Sequence, residues 1–151
     1  MTRMALLATT ILAMAGPSAT LAADVEIRML NKGAEGLMVF EPSFVRIAPG
    51  DTVRFVATDK GHNVEAIDAM VPAGGKPFVG KMNEELAVTF EVPGIYGYRC
   101  KPHYPMGMVG MIVVGDPTNL EQAKTVGHPG KAKQVFGALF DKLVQSTAAA
   151  K

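Results

Sequence analysis

Apolar and polar residues alternate from Asp24 onward: Val25, Ile27 and Met29 fall on one face, Asp24, Glu26 and Arg28 on the other. This period of two marks a strand with one buried face. The pattern predicts a first strand over about Asp24–Leu30. Further strands are expected over Leu37–Phe40, Ser43–Ile47, Asp51–Thr58, Glu85–Val92, Ile95–Cys100 and Met108–Val114, each bounded by Gly, Pro, Asp or Asn. Pro49-Gly50-Asp51 and Pro93-Gly94 are turn sequences, because proline presets φ and glycine takes positive φ freely. Many short strands with half-apolar faces need a second sheet to cover them, so the expected fold is mainly β, a Greek-key β-sandwich or flattened barrel. The stretch 60–84 carries Gly61, Pro72, Gly74, Gly75, Pro77 and Gly80 and reads as a long connection with room for a helical turn.

The period changes after Gly115. Thr118 followed by Glu121 fits a capping box that opens a short helix, and beyond Pro129-Gly130 the residues Val135, Phe136, Leu139, Phe140, Leu143 and Val144 recur at helical spacing. Two C-terminal helices are therefore expected to pack back on the sandwich. The chain start differs again: Arg3, an apolar run from Met4 to Gly16, then small residues with Thr20 and Ala22 at cleavage-site positions. This reads as a secretory signal peptide over 1–22, the apolar run being shorter than the roughly 20 residues that span a bilayer. The expected organisation is that leader and one domain over 23–151, with 115–151 as its helical extension. Export to the periplasm follows, without membrane insertion.

With 151 residues, 48% hydrophobic and 19% charged, the chain is of a size and composition that fold as one domain. Its formal charge of +1 gives no general attraction for a phosphate backbone, and no nucleic-acid module is evident. Losing Arg3 with the leader leaves basic and acidic side chains equal in number. The single cysteine, Cys100, rules out an intramolecular disulfide, a paired-cysteine zinc site and a C-x-x-C-H haem attachment. In an oxidising compartment a lone thiol must be buried as a small hydrophobe or held as a metal thiolate.

The informative stretch is Tyr98-Arg99-Cys100-Lys101-Pro102-His103-Tyr104-Pro105-Met106-Gly107-Met108, where a thiolate, an imidazole and a thioether share one loop between strands. Sulfur ligands favour Cu(I) and imidazole keeps Cu(II) bound, and a trigonal His-His-Cys set with a weak axial Met is the donor set of electron-transfer copper. One more histidine is needed, and His62, between Gly61 and Asn63 just past the strand that starts at Asp51, is the candidate; His128 is left without a role. Among the thioethers Met108 is preferred: Met111 belongs to the last strand and Met106 to the turn between Pro105 and Gly107. Each residue alone fits ordinary packing or solvation, but Cys100-x2-His103-x4-Met108 with an upstream histidine in an exported all-β chain is a specific conjunction. A Cys100–His103 nucleophile pair has no orienting third group or oxyanion hole in this sequence and leaves Met108 without a purpose, so an enzyme is not expected. A periplasmic copper chaperone or storage protein is the alternative, although such proteins use several sulfur ligands in flexible motifs.

Gly61-His62-Asn63-Val64-Glu65, the Cys100–Met108 loop, Met29-Leu30-Asn31-Lys32-Gly33 and the trailing helices together resemble the cupredoxin family of blue copper proteins. The resemblance implies one type 1 copper ion bound by Nδ1 of His62 and His103, the Cys100 sulfur and, more weakly, the Met108 sulfur. It implies shuttling of single electrons, with a copper nitrite reductase or a c-type cytochrome as transient partner and a monomeric carrier. It also implies that Asn63 ties the ligand loops together and that Asn31 lies near the Cys100 sulfur. From the residues themselves, Pro102 and Pro105 should stiffen the loop and Tyr96 and Tyr98 should bury Cys100. Lys32, Lys60, Lys76, Lys81, Arg99 and Lys101 are expected to ring the copper end for an acidic partner, around an apolar centre that includes Met38, Pro102 and Met106.

Overall fold

The computed structural model describes residues 21–148; residues 1–20, which hold most of the expected leader, lie outside the described residues. Among the described residues eight strands form two four-stranded sheets: β1 (Asp24–Gly33), β2 (Gly36–Glu41), β3 (Phe44–Ile47), β4 (Thr52–Val56), β5 (Glu65–Ala66), β6 (Leu86–Thr89), β7 (Gly94–Arg99) and β8 (Val109–Val114). One sheet has the order β2-β1-β4-β6 and the other β3-β8-β7-β5. The β1–β4 and β3–β8 pairs are parallel and the remaining neighbours antiparallel. Two helices follow, α1 (Leu120–Lys124) and α2 (Ala132–Ala148). The mainly β sandwich with a helical extension is the fold that the alternation predicts.

The alternation in β1 does what it predicts: Ile27 and Met29 are fully buried while Asp24, Glu26 and Arg28 are exposed. These residues join Phe40, Phe55, Tyr98 and Ile112 in the core between the sheets. Tyr98 packs edge-on against Phe40 and Phe55, with ring centroids 4.9 and 5.1 Å away. Gly110 makes room for it, since a Cβ there would lie 2.2 Å from the Tyr98 ring. Strand β8 is different, being buried along its whole length. Its Ile112 and Val114 face the sandwich core, whereas Val109, Met111 and Val113 face a second core against α2. From α2 come Phe136, Leu139 and Leu143, at most 2% exposed; burying each stabilises by roughly 1.5–3 kcal/mol. The extension is thus the cover of an otherwise bare sheet face. Val144, read from spacing as part of the stripe, is 57% exposed near the end of the helix.

Three local expectations are corrected. Strand β1 runs on to Gly33, pairing with β2 through Lys32 and Leu37. The connection 60–84 contains β5 as well as one 3-10 turn, Asp68–Met70; two residues are too few to show a period. The Thr118–Glu121 capping box does not form: Thr118 Oγ1 donates to the Pro93 carbonyl and Glu121 pairs with Lys124 at 3.6 Å. The residue before α1, Asn119, also turns its side chain away from the helix. Its Oδ1 accepts the Ile95 amide at 2.7 Å, and its Nδ2 donates to the carbonyls of Ile95 and Met70 at 3.0 and 3.3 Å.

Asn119→Ala would strand a buried backbone N–H on β7 together with two carbonyls. We expect a loss of about 2–4 kcal/mol in unfolding free energy, read from urea denaturation, because an unsatisfied buried group loses its full desolvation compensation.

Candidate metal centre

All the strands that bear candidate ligands deliver them to one end of the sandwich. His62 lies beyond the end of β4 and is fully buried. Its carbonyl accepts the Asn83 amide at 2.8 Å, and the Gly61 amide donates to Asn83 Oδ1 at 2.6 Å. Cys100 directly follows β7, also fully buried, and its amide donates to the Met108 carbonyl at 3.0 Å. That bond closes the loop on itself. Inside it the His103 carbonyl accepts the amides of Met106 (3.0 Å) and Met108 (3.2 Å), and Gly107 takes φ of +92° to reverse the chain. Positive φ is strained for residues with a Cβ, so glycine fits there.

These elements bring three donor atoms together. His62 Nδ1 and His103 Nδ1 are 3.2 Å apart, and Cys100 Sγ lies 3.8 Å from the first and 3.6 Å from the second. The three residues form a group able to hold a metal ion, with ligand atoms within 4.8 Å of one another. Donors that share one ion at bond lengths of about 2.0–2.3 Å stand about this far apart. Met108 is fully buried in the same core cluster as Cys100.

Tautomer and charge agree with a metal. His62 Nε2 lies 2.8 Å from Asn31 Oδ1, and since an amide oxygen only accepts, Nε2 carries the hydrogen and Nδ1 presents a lone pair. Burial, followed by the nearby His103, holds the His62 pKa below its usual value. Burial pushes the Cys100 thiol up, against hydrogen bonds from Asn63 and His103 that favour the thiolate. The pocket therefore disfavours a proton on the His62 imidazole and leaves the thiol to ionise when a cation arrives. One imidazole pair and one sulfur, soft and borderline donors, fit copper in both oxidation states.

Asn63 links the two ligand segments. Its Oδ1 accepts the Lys101 amide at 2.8 Å and its Nδ2 donates to the Gly80 carbonyl at 3.4 Å. Asn31 Oδ1 bonds the His62 ring, whose other nitrogen lies 3.8 Å from the Cys100 sulfur, because β1 continues far enough to bring residue 31 beside His62. Tyr96 and Tyr98 are buried in the cluster that encloses Cys100, as their shared strand face predicts, while Pro102 stands exposed at the turn.

The cations divide. Lys32, Lys60 and Lys101 are exposed at this end, adjoining Asn31, Gly61 and Cys100 respectively. Lys81 is exposed and pairs with Glu84 at 3.8 Å. Arg99 and Lys76 are placed differently. Arg99 is half-buried, its Nε and a terminal nitrogen both 2.8 Å from Glu65 and its guanidinium 4.9 Å from the Tyr104 ring centre, so its charge is already matched. Lys76 lines a cavity of about 180 Å³ with Phe90, Glu91 and Val92, beyond the opposite end of β7 from Cys100. Met106 is 50% exposed and Met38 half-buried against the core. Sequence reasoning missed Leu37, 64% exposed across from Lys32 and lining a cavity with Met106.

Comparison with known proteins agrees. Residues 27–115 match the model for copper binding proteins of the plastocyanin/azurin family. The chain is 52% identical over 132 residues to a pseudoazurin of Paracoccus pantotrophus, covering 87% of this chain and 90% of that one. It superposes on the crystal structure of pseudoazurin from Methylobacterium extorquens AM1 with a TM-score of 0.77 at 45% identity, covering 80% of this chain and 98% of that one. Native pseudoazurin from Hyphomicrobium denitrificans gives a TM-score of 0.76 at 41% identity, covering 79% and 97%.

Asn63→Ala removes the side-chain hydrogen bond that joins the His62 segment to the amide of Lys101, next to Cys100. Copper affinity, measured by chelator competition, is expected to fall about 10–100-fold, the usual effect of losing a group that orients metal ligands.

Proposed function

The chain belongs to the plastocyanin/azurin family of copper-binding proteins, and we propose that it carries single electrons between redox partners in the periplasm. The ligands in this reading are His62 Nδ1, Cys100 Sγ, His103 Nδ1 and Met108 Sδ. The observation that carries it is the convergence of two imidazole nitrogens and one sulfur at 3.2–3.8 Å in a buried pocket. Bound copper supplies a one-electron couple.

The rest of the work falls to the chain. Asn31 fixes the His62 ring and Asn63 fixes the backbone at Lys101, next to Cys100, so the donor positions stay put when charge arrives or leaves. Burial of His62, Cys100 and Met108 excludes water from three sides. His103 alone of the four is partly exposed, which makes its ring the exit to a partner. No helix among the described residues is long and apolar enough to cross a membrane, and the leader read over residues 1–22 supports export.

In this reading Pro102 and Met106 flank His103 in the loop, Leu37 lines a cavity with Met106, and the exposed Lys32, Lys60 and Lys101 form the margin. An apolar centre with a basic rim fits a partner bearing an acidic patch, in keeping with the copper nitrite reductase or c-type cytochrome that the family resemblance implies. Copper delivery or storage is the competing use. Fast loss of copper to an acceptor without reversible redox cycling at an electrode would favour that use.

Electron transfer to an acidic partner should slow as ionic strength rises, because exposed charges are screened beyond about 8 Å at physiological salt. Replacing Lys32, Lys60 and Lys101 by Glu should lower the bimolecular rate more than about 10-fold at low salt. Transfer to a neutral small-molecule mediator should not change. A salt-independent rate in stopped-flow would remove the basic rim from the account.

A further inference from the structure

The third histidine has no part in the metal site, yet it is not idle. His128 Nδ1 and the Tyr104 hydroxyl share a hydrogen bond of 2.7 Å, and Tyr104 directly follows His103. The imidazole stacks on Phe136, with ring centroids 4.1 Å apart and planes at 24°, and Phe136 is anchored at 1% exposure in the core beneath α2. On its other side Tyr104 carries the Arg99 guanidinium, itself held by Glu65. Tyr104 is therefore gripped by groups rooted in different elements.

The grip extends along the turn. The Lys131 amide donates to the Pro105 carbonyl at 2.9 Å. Gly130 allows this approach: a Cβ there would meet the Pro105 oxygen at 2.4 Å. A Cβ at Gly107 would stand 3.1 Å from Val135 and 3.2 Å from Lys131. Three of the four residues between His103 and Met108 thus rest on residues 128–135. His128 Nε2 is buried without a hydrogen-bond partner among the described residues, an unmade bond that calls for compensation elsewhere.

We propose that the start of the C-terminal extension is a positioning element for the metal loop, in which His128, acting through Tyr104, and Lys131, acting through the Pro105 carbonyl, hold the His103–Met108 turn in its ligating shape before metal binds. Its meaning for copper rests on the electron-carrier reading above. Its mechanics do not, since the contacts exist in the polypeptide alone. The extension then does two jobs: it covers β8, and it keeps the half-exposed edge of the site from opening.

The test uses Tyr104→Phe, His128→Phe and the double variant, which keep both rings and remove the shared hydrogen bond. In copper-free protein, exchange of the Met106, Gly107 and Met108 amides, whose bonds close the turn, should quicken roughly 3–10-fold in each single variant. The double variant should go no further, because both changes break one interaction. Exchange in β8 should stay as it was. In the copper-loaded protein the same variants should keep their colour but lose copper to a chelator faster by a similar factor, with a shifted midpoint potential. Unchanged exchange at the three amides, an equal rise in β8, or additive effects in the double variant would each overturn the proposal. A parent protein without a thiolate–copper band would defeat the electron-carrier reading, while the copper-free exchange would still decide whether His128 positions the turn.

Discussion

Two imidazole nitrogens and a sulfur held 3.2–3.8 Å apart in a buried pocket are an unfavourable grouping unless a proton or a metal ion lies among them. Each presents electron density to the others, and burial removes the water that would screen them. Keeping them there requires opposing forces from the scaffold. The amide of Cys100 on the carbonyl of Met108 closes the loop, Asn63 ties it to the His62 segment, and Asn31 fixes the His62 ring. The sandwich is the frame that lets these bonds act together, because β1, β4 and β7 end, and β5 and β8 begin, at the same edge. A geometry set this way is indifferent to small changes in charge at the centre, which is what a one-electron carrier needs.

The sequence shows the frame better than its fastenings. Alternation gives β1, and the run Val109–Val114 gives β8, because burial on one face or both leaves a periodic or a continuous apolar trace. The donors are legible because cysteine, histidine and methionine at that spacing have few other shared uses. The bond from Asn31 to His62 is not legible because it depends on β1 continuing past Leu30, through residues too polar to announce a strand. Thr118 and Glu121 have the spacing of a capping box, but spacing cannot tell that Thr118 and Asn119 find partners on Pro93 and Ile95, distant in sequence. Arg99 and Lys76 show the same limit for charge. One is matched by Glu65 across the β5–β7 pair, and the other is carried to the far end by its connection.

The helical extension links fold to site. Phe136, Leu139 and Leu143 cover the outer face of β8, and the segment leading into α2 backs the turn that joins His103 to Met108. Stability of the sheet and shape of the metal loop therefore share residues. The exposed side of that loop is left to Pro102, Met106 and the neighbouring lysines, where a partner can approach His103 without disturbing the bonds beneath.

The most direct measurement is the visible absorption and electron paramagnetic resonance of the Cu(II)-loaded protein beside Cys100→Ala. The account predicts an intense blue band with narrow copper hyperfine splitting that disappears in the variant, the signature of a thiolate bound in a trigonal site. A pale spectrum with ordinary hyperfine splitting, unchanged by the substitution, would mean that Cys100 is not a ligand and would contradict the account at its centre.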